Sequence, residues 1–242
     1  MIDTHCHIDL YPDPLAIAKR VEKAKISTLA MTNLPSHFEA AVPHLKSFRY
    51  IRLALGMHPL YAERHESEYA LFDKYIDQTS YIGEVGLDFS KEGIATKEIQ
   101  LRSFSHVLRK IKGGKKILSL HSRRAEGQVL DMLLSQEIRS AIFHWYTGGF
   151  DVLDSAISHG YFFSLNTAML TSKSGTAIIN RIPLSQLLTE SDGPYIKFKN
   201  RNVEPADVQS VVAFLADIHA VSPETVSAQI KDNFMRIINT IR

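Results

Sequence analysis

Short apolar, β-branched runs alternate with longer amphipathic stretches along this chain. The short runs cover residues 1–4, 27–32, 50–54, 81–84, 116–120, 141–143, 161–164 and 187–189. Each has strand length and is too brief for a buried helix. Between them the spacing predicts helices. The first covers 15–25, with Pro14 at a first-turn position. The second covers 36–46, opened by the capping Ser36 and weakened near its end by Pro43. Others follow over 66–78, over 96–112 with a stop at Gly113-Gly114, over 124–135, and over 150–159 with a stop at Gly160. Helices over 205–220 and 223–241 close the chain.

Eight strands alternating with helices, in about 30 residues per unit, predict an α/β fold of the (β/α)₈ TIM-barrel type. The chain is expected to form one domain over residues 1–242, a normal length for such a barrel. The runner-up is an open, doubly wound sheet. No G-x-G-x-x-G follows the first strand and no G-x-x-x-x-G-K-[ST] occurs, so nucleotide binding through either loop is disfavoured.

The barrel register gathers the chemistry. His5 and His7 follow the first run, His58 follows the third, and Glu84 ends the fourth. His121 and His144 follow the fifth and sixth, and Asp192 follows the eighth. All seven would stand at the C-terminal ends of strands, where barrel loops form one concave site. In His5-x-His7 the alternate residues of an extended segment point the same way, so both imidazoles can face the mouth. Neutral imidazole is a common ligand of zinc and related metals; a turn that happens to hold two histidines is the plainer reading. Asp3 and Asp9 can orient the rings as hydrogen-bond acceptors, or be satisfied loop acids.

A carboxylate at a strand end, as Glu84 would be, can bridge two cations. Alone, it would read as an exposed acid beside a turn. Asp88 fits a supporting or substrate role. Asp192 can ligate a metal and accept the proton of its water, with Glu190 as the rival acid. Arg123 can hold a phosphate oxygen, whereas Arg124 reads as a solvated helix charge. Trp145 and Tyr146 can stack on a base or sugar, although aromatic residues beside a barrel more often pack.

Composition narrows the classes. Hydrophobic residues make up 45% and charged residues 22%, an ordinary globular balance that excludes disordered and disulfide-scaffold proteins. The net charge of +2 does not by itself argue for nucleic acid. Cys6 is the single cysteine, so no intrachain disulfide forms. The N-terminus lacks the pattern of a signal peptide and no stretch approaches a membrane span, so a cytoplasmic location and no membrane partner are expected. No Cys/His/acid arrangement of a thiol enzyme and no G-x-S-x-G elbow is evident, which leaves metal-activated water as the economical nucleophile.

Taken together, Asp3-Thr4-His5-Cys6-His7, Gly56-Met57-His58-Pro59, Gly83-Glu84-Val85-Gly86-Leu87-Asp88, His121-Ser122-Arg123, His144-Trp145-Tyr146-Thr147-Gly148 and Glu190-Ser191-Asp192-Gly193-Pro194-Tyr195 resemble the TatD family of metal-dependent deoxyribonucleases. Arg201-Asn202-Val203-Glu204-Pro205 also looks like that family's Arg-Asn-x-Pro region, with one extra residue. The resemblance implies an amidohydrolase-like barrel with metal ligands His5, His7, Glu84, His121, His144 and Asp192. It implies two divalent cations, drawn from magnesium, manganese and zinc, with Glu84 bridging and Asp192 contacting the metal-bound water. His58 is better assigned to substrate or catalysis, and His58, Arg123, Arg201 and Trp145 are candidate substrate contacts. DNA is the implied substrate, cut as a 3′-to-5′ exonuclease.

Two departures touch the substrate side. The family's Glu-Thr-Asp-x-Pro is Glu190-Ser191-Asp192-Gly193-Pro194 here, and its Ser-x-x-Gly reads Ser164-Leu165-Asn166-Thr167. The chain is also slightly short for the family, and some relatives sit in Qat-type anti-phage defence cassettes, a subgroup this divergent form could join. Two other functions fit the same residues. One is an amidohydrolase acting on an amide, ester or lactone. The other is a metal-stabilised binding subunit of a larger complex, presenting its C-terminal helices to a protein partner.

Overall fold

The computed structural model describes residues 1–198 and 200–241. Strand β1 (Ile2–Cys6) leads through helix α1 (Pro14–Ala24) to β2 (Ser27–Ala30), and α2 (Pro35–Leu45) leads to β3 (Ile51–Leu53) and β4 (Leu55–Met57). Helix α3 (His65–Tyr75) precedes β5 (Tyr81–Gly86), α4 (Lys97–Ile111) precedes β6 (Ile117–His121), and α5 (Glu126–Ser135) precedes β7 (Ala141–His144). Helix α6 (Phe150–Ser158) precedes β8 (Phe162–Leu165). Helices α7 (Thr167–Thr171) and α8 (Lys173–Arg181) then lead to β9 (Leu187–Thr189). A two-stranded hairpin, β10 (Lys197–Phe198) and β11 (Arg201–Asn202), and helices α9 (Val208–His219) and α10 (Pro223–Asn239) follow.

Every pairing from β1 to β3 and from β4 to β9 is parallel. The third stave is bent rather than ended at Ala54. The Ala54 N–H still donates to the Ala30 carbonyl at 2.9 Å, and the strand resumes as β4. Beyond the bend the chain after β2 crosses directly over Gly56, where a Cβ would stand 1.6 Å from the Thr32 oxygen. Thr32 then bonds straight to β5, donating to Gly83 O at 3.2 Å and accepting from Glu84 N at 3.1 Å. Only a residue without a side chain permits that crossing.

The first and last staves close the ring. Thr4 Oγ1 donates to Thr189 O at 3.1 Å, and Thr189 Oγ1 donates to Ile2 O at 2.5 Å. Past the strand ends, Asp192 N donates to His5 O at 2.9 Å and His7 N to Gly193 O at 2.8 Å. The chain is therefore a closed (β/α)₈ barrel, and the open-sheet alternative falls.

The barrel strands are buried on both faces, as the full burial of Leu118, Leu120, Ile142, Phe143, Phe163 and Leu187 shows. The helices bury one stripe each: α4 through Phe104, Val107, Leu108 and Ile111, and α10 through Val226, Ile230, Phe234 and Ile237. Asn233, buried on α10, donates to the carbonyls of Leu184 and Leu187 at 2.8 Å each and so fixes that helix beneath β9. Side-chain caps start several helices, among them Asp13 for α1 and Ser222 for α10. Helix α2 carries Pro43 in its last turn and still reaches Leu45.

Three features depart from the sequence-based expectation. The segment between β8 and β9 holds the two helices α7 and α8, the segment after Asp192 forms a hairpin, and α5 begins at Glu126 because Arg124 has φ 57°. Among the described residues no helix is long and apolar enough to cross a membrane.

Candidate metal centre

Glu84 lies on β5 at the centre of a buried cluster of imidazoles delivered by several strand ends of the barrel mouth. Its two oxygens face different partners. Oε2 is 3.1 Å from His7 Nε2 and 3.3 Å from His5 Nε2. Oε1 is 2.5 Å from His121 Nδ1, 3.1 Å from His144 Nε2 and 3.3 Å from His58 Nε2. Asp192 Oδ1 stands 3.8 Å from His5 Nε2 and 4.0 Å from His7 Nε2. The register of the staves thus brings all seven sequence-predicted groups together.

Local structure explains the placement. His5 and His7 straddle the end of β1, where the strand passes into a short turn. His121 and Ser119 are alternate residues of β6 and face the same way. Ser119 Oγ lies 2.7 Å from His5 Nδ1 and so orients that ring. Gly86 ends β5 with φ 139°, and a Cβ there would meet the His121 oxygen at 2.0 Å. Asp192 has φ 45°, a left-handed conformation uncommon for a residue with a side chain. Its N–H bond to His5 O and its carbonyl bond from Tyr195 N hold it there.

Supporting acids surround the centre. Asp3 accepts from Ser191 N at 2.9 Å, Ser191 Oγ at 2.6 Å and His5 N at 3.2 Å. Asp88 Oδ2 is 2.8 Å from His121 Nε2. Glu190 Oε1 is 3.4 Å from His144 Nδ1, behind that ring. His58 is fixed by the Leu60 N–H, which donates to its Nδ1 at 3.1 Å, so the proton of the neutral ring sits on Nε2, toward Glu84.

Burial and mutual charge pull these groups apart in proton affinity. Burial pushes the Glu84 carboxyl up, but His58, His144 and His121 outweigh it and hold it well below the usual range. Burial lowers His144, but Glu84 and Glu190 overcome this and hold it well above an ordinary histidine. His121 is raised, against its burial, by Glu84 and Asp88. His5 is pushed well below, by burial and then by the charge of His144. Burial raises Asp192 to about 7 and Asp3 to about 8. For Asp88, burial is outweighed by the bonds from His121 and Ser90, and its carboxyl falls to about 2.

The donor set fits divalent cations. Ligands about 2.0–2.2 Å from one tetrahedral ion stand roughly 3.3 Å from each other, and the spacings around Glu84 Oε2 and His7 match this. Three groupings of ligand atoms close enough to share an ion occur among the described residues: His5–His7–Glu84, His5–His144–Asp192 and His58–Glu84–His121. All draw on this one cluster. The last includes His58, which the sequence assigned to substrate.

The expected substrate contacts are placed differently. Arg123 is exposed, with Glu92 3.6 Å away. Arg201 pairs twice with Asp207, at 2.7 and 2.6 Å. Trp145 is half-buried against the core, and Tyr146 is buried, donating to Gly149 O at 2.8 Å as a packing residue does. Tyr195, Asn33, Ser119 and His65 were not singled out from the sequence. Tyr195 stands edge-on to His7 with centroids 5.0 Å apart, and Asn33 Nδ2 lies 3.5 Å from its hydroxyl. His65 Nε2 is 3.0 Å from the His58 carbonyl. Strand alternation gave a signal for Ser119; nothing comparable marked His65.

The sequence profile of the TatD related DNase family matches residues 2–239. The chain belongs to this family. Membership makes it a hydrolytic enzyme. Among relatives, the deoxyribonuclease TATDN3 of Homo sapiens is 24% identical, covering 100% of this chain and 96% of its own. An uncharacterized metal-dependent hydrolase of Methanocaldococcus jannaschii is 23% identical over 96% of this chain and 94% of its own. The crystal structure of YJJV, a TatD homologue of Escherichia coli, superposes with a TM-score of 0.88 at 23% identity, covering 99% of this chain and 98% of that one, and so shares its fold.

Proposed function

We propose that this TatD-family barrel, acting as one domain over residues 1–242, hydrolyses DNA phosphodiester bonds in the cytoplasm as a 3′-to-5′ exodeoxyribonuclease using two divalent cations. The observation that carries the reading is the division of the Glu84 carboxylate, one oxygen toward His5 and His7 and the other toward His121 and His144. His5, His7, Asp192 and Glu84 Oε2 would hold one cation; His121, His144 and Glu84 Oε1 would hold the other. Bound there, such ions lower the pKa of a coordinated water toward roughly 7 and polarise a phosphate oxygen.

The chain's own residues supply the rest. Asp192, with Oδ1 beside His5 and His7 at the barrel mouth, is placed to take a proton from the attacking water. His58 presents Nε2–H beside Glu84 and is placed to donate to a phosphate oxygen. Arg123 is exposed at the rim, free to swing from Glu92 to a neighbouring phosphate. Arg201 would first have to leave Asp207, and Trp145 would offer only its exposed edge.

The test is cleavage of end-labelled single- and double-stranded DNA by metal-stripped protein, with magnesium, manganese or zinc restored in parallel. A ladder shortening from the 3′ end, absent from Glu84→Ala and Asp192→Ala, is the expected result. Cleavage from the 5′ end or internally would overturn the polarity. No cleavage by protein of verified metal content would overturn the nuclease reading, and amide substrates would be tried next.

A further inference from the structure

Asn166 stands where the family pattern leads one to expect a different loop, and its side chain does two things at once. Its Nδ2 donates to Glu190 Oε1 at 2.8 Å. Its Oδ1 accepts from Ala168 N at 3.1 Å and Met169 N at 3.2 Å, capping the short helix α7. Glu190 is fully buried and also accepts from Ser164 Oγ. The same carboxylate oxygen that Asn166 holds lies 3.4 Å from His144 Nδ1, an ion-pair contact to a buried ring nitrogen that makes no hydrogen bond. His144 in turn stacks on His5, with centroids 3.9 Å apart and planes 11° from parallel.

We infer that Asn166 is a positioning residue for the metal centre: through Glu190 it sets the rotation of the His144 ring, and it ties that setting to the start of α7.

The physical argument is one of constraint. A carboxylate buried behind a ligand imidazole fixes the ring only if the carboxylate is itself fixed. Two donors from the segment that leaves β8 fix Glu190, the Ser164 hydroxyl from within the strand and the Asn166 amide from just beyond it. Asn166 cannot rotate to escape, because its oxygen is spent on two backbone N–H groups. Nothing else described approaches His144 Nδ1 closely enough to orient it. The inference rests on the proposed metal reading for its consequence, but the geometry it describes exists in the metal-free protein.

The two duties can be separated. Asn166→Ser keeps a capping oxygen for α7 and has no amide to reach Glu190. Asn166→Ala removes both. The full chain is stripped of metal. Its affinity and stoichiometry for zinc and manganese are then measured by competition with a chromogenic chelator, alongside thermal unfolding and the ¹H–¹⁵N signals of the His144 ring. Asn166→Ser is expected to unfold near the wild-type temperature, shift the His144 signals, and bind its weaker cation roughly tenfold or more less tightly. Asn166→Ala is expected to show the same loss of affinity and a lower unfolding temperature. Unchanged affinity and unchanged His144 signals in both variants would overturn the inference and leave Asn166 a helix cap. If the wild type itself takes up no cation, the metal reading fails separately. The His144 signals of the metal-free variants still decide the positioning role, movement supporting it and none overturning it.

Discussion

His144 lies flat against His5, two imidazoles from opposite parts of the chain stacked face to face in the buried centre. Such a pair resists carrying two positive charges. The consequence is visible in the opposed proton affinities: His144 is raised by Glu84 and Glu190, while burial and the nearby His144 push His5 down. One ring of the stack is poised to hold a proton and the other to offer a lone pair.

Cation uptake is therefore expected to expel protons. His144 and His121 have raised proton affinities and Asp192 titrates at about 7, so each binds a proton that a metal must displace below neutrality. Affinity should rise with pH from 6 to 8, by up to about tenfold per unit for each proton released. Titration calorimetry in buffers of different ionisation enthalpy measures the number released. A heat that does not vary with the buffer would contradict this.

Asp3 sets a pH dependence of stability. Burial raises its carboxyl to about 8, from the 3.8 of an ordinary aspartate. A raised carboxyl favours the folded state fully below its unfolded pKa, and that contribution is lost as pH rises through the folded value. The urea midpoint of the metal-free protein should fall between pH 6 and pH 8. Asp3→Asn, which keeps the site uncharged, should flatten the Asp3 part of this slope, worth about 2–3 kcal/mol over two pH units. An identical slope in the variant would show that Asp3 is not its source.

Gly86 carries a steric prediction. With φ 139° and the His121 oxygen 2.0 Å from an added Cβ, Gly86→Ala must displace β5 or β6. A loss of about 3 kcal/mol or more is expected, with weakened metal binding because His121 moves. Denaturant unfolding with metal titration checks both, and a stable variant with normal uptake would count against the geometry.

The two arginines should differ. Arg123 has one loose, exposed partner, whereas Arg201 is held twice by Asp207. Arg123→Ala is expected to raise KM for DNA several-fold, most at low salt, consistent with a phosphate contact. Arg201→Ala should leave KM nearer the wild-type value and act mainly on the loop before α9. The reverse ranking, measured across salt concentrations, would reassign the substrate contact.

Much of the site could be seen in the chain because strand ends carry their own marks. Glu84 and His144 end apolar runs, and His5 and His7 flank the end of the first, so a barrel register alone is enough to gather them. The rest depended on groups with no periodic signature. The segment of α7 and α8 is rich in Ser and Thr and is broken at Ser172 into two short helices, so only its caps, Asn166 and Ser172, announce it. The bend at Ala54 needed the crossing of Thr32 over Gly56, a contact between distant residues that no local pattern contains. Arg201 entered as a candidate substrate contact through the family resemblance, and its pairing with Asp207 depends on where the next helix starts.

The closing seam of the barrel has a further meaning during synthesis. His5 O is joined to Asp192 N, and His7 N to Gly193 O, so the place where the first stave meets the last is also where the proposed cations would sit. A ribosome-bound chain can display His5, His7, Glu84, His121 and His144 long before it has Asp192. Until that last acid emerges and the ring shuts, the emerging polypeptide lacks the carboxylate assigned to deprotonate water. By the order of its own residues, the chain thus gains the closing seam of its barrel and the last acid of the candidate centre together.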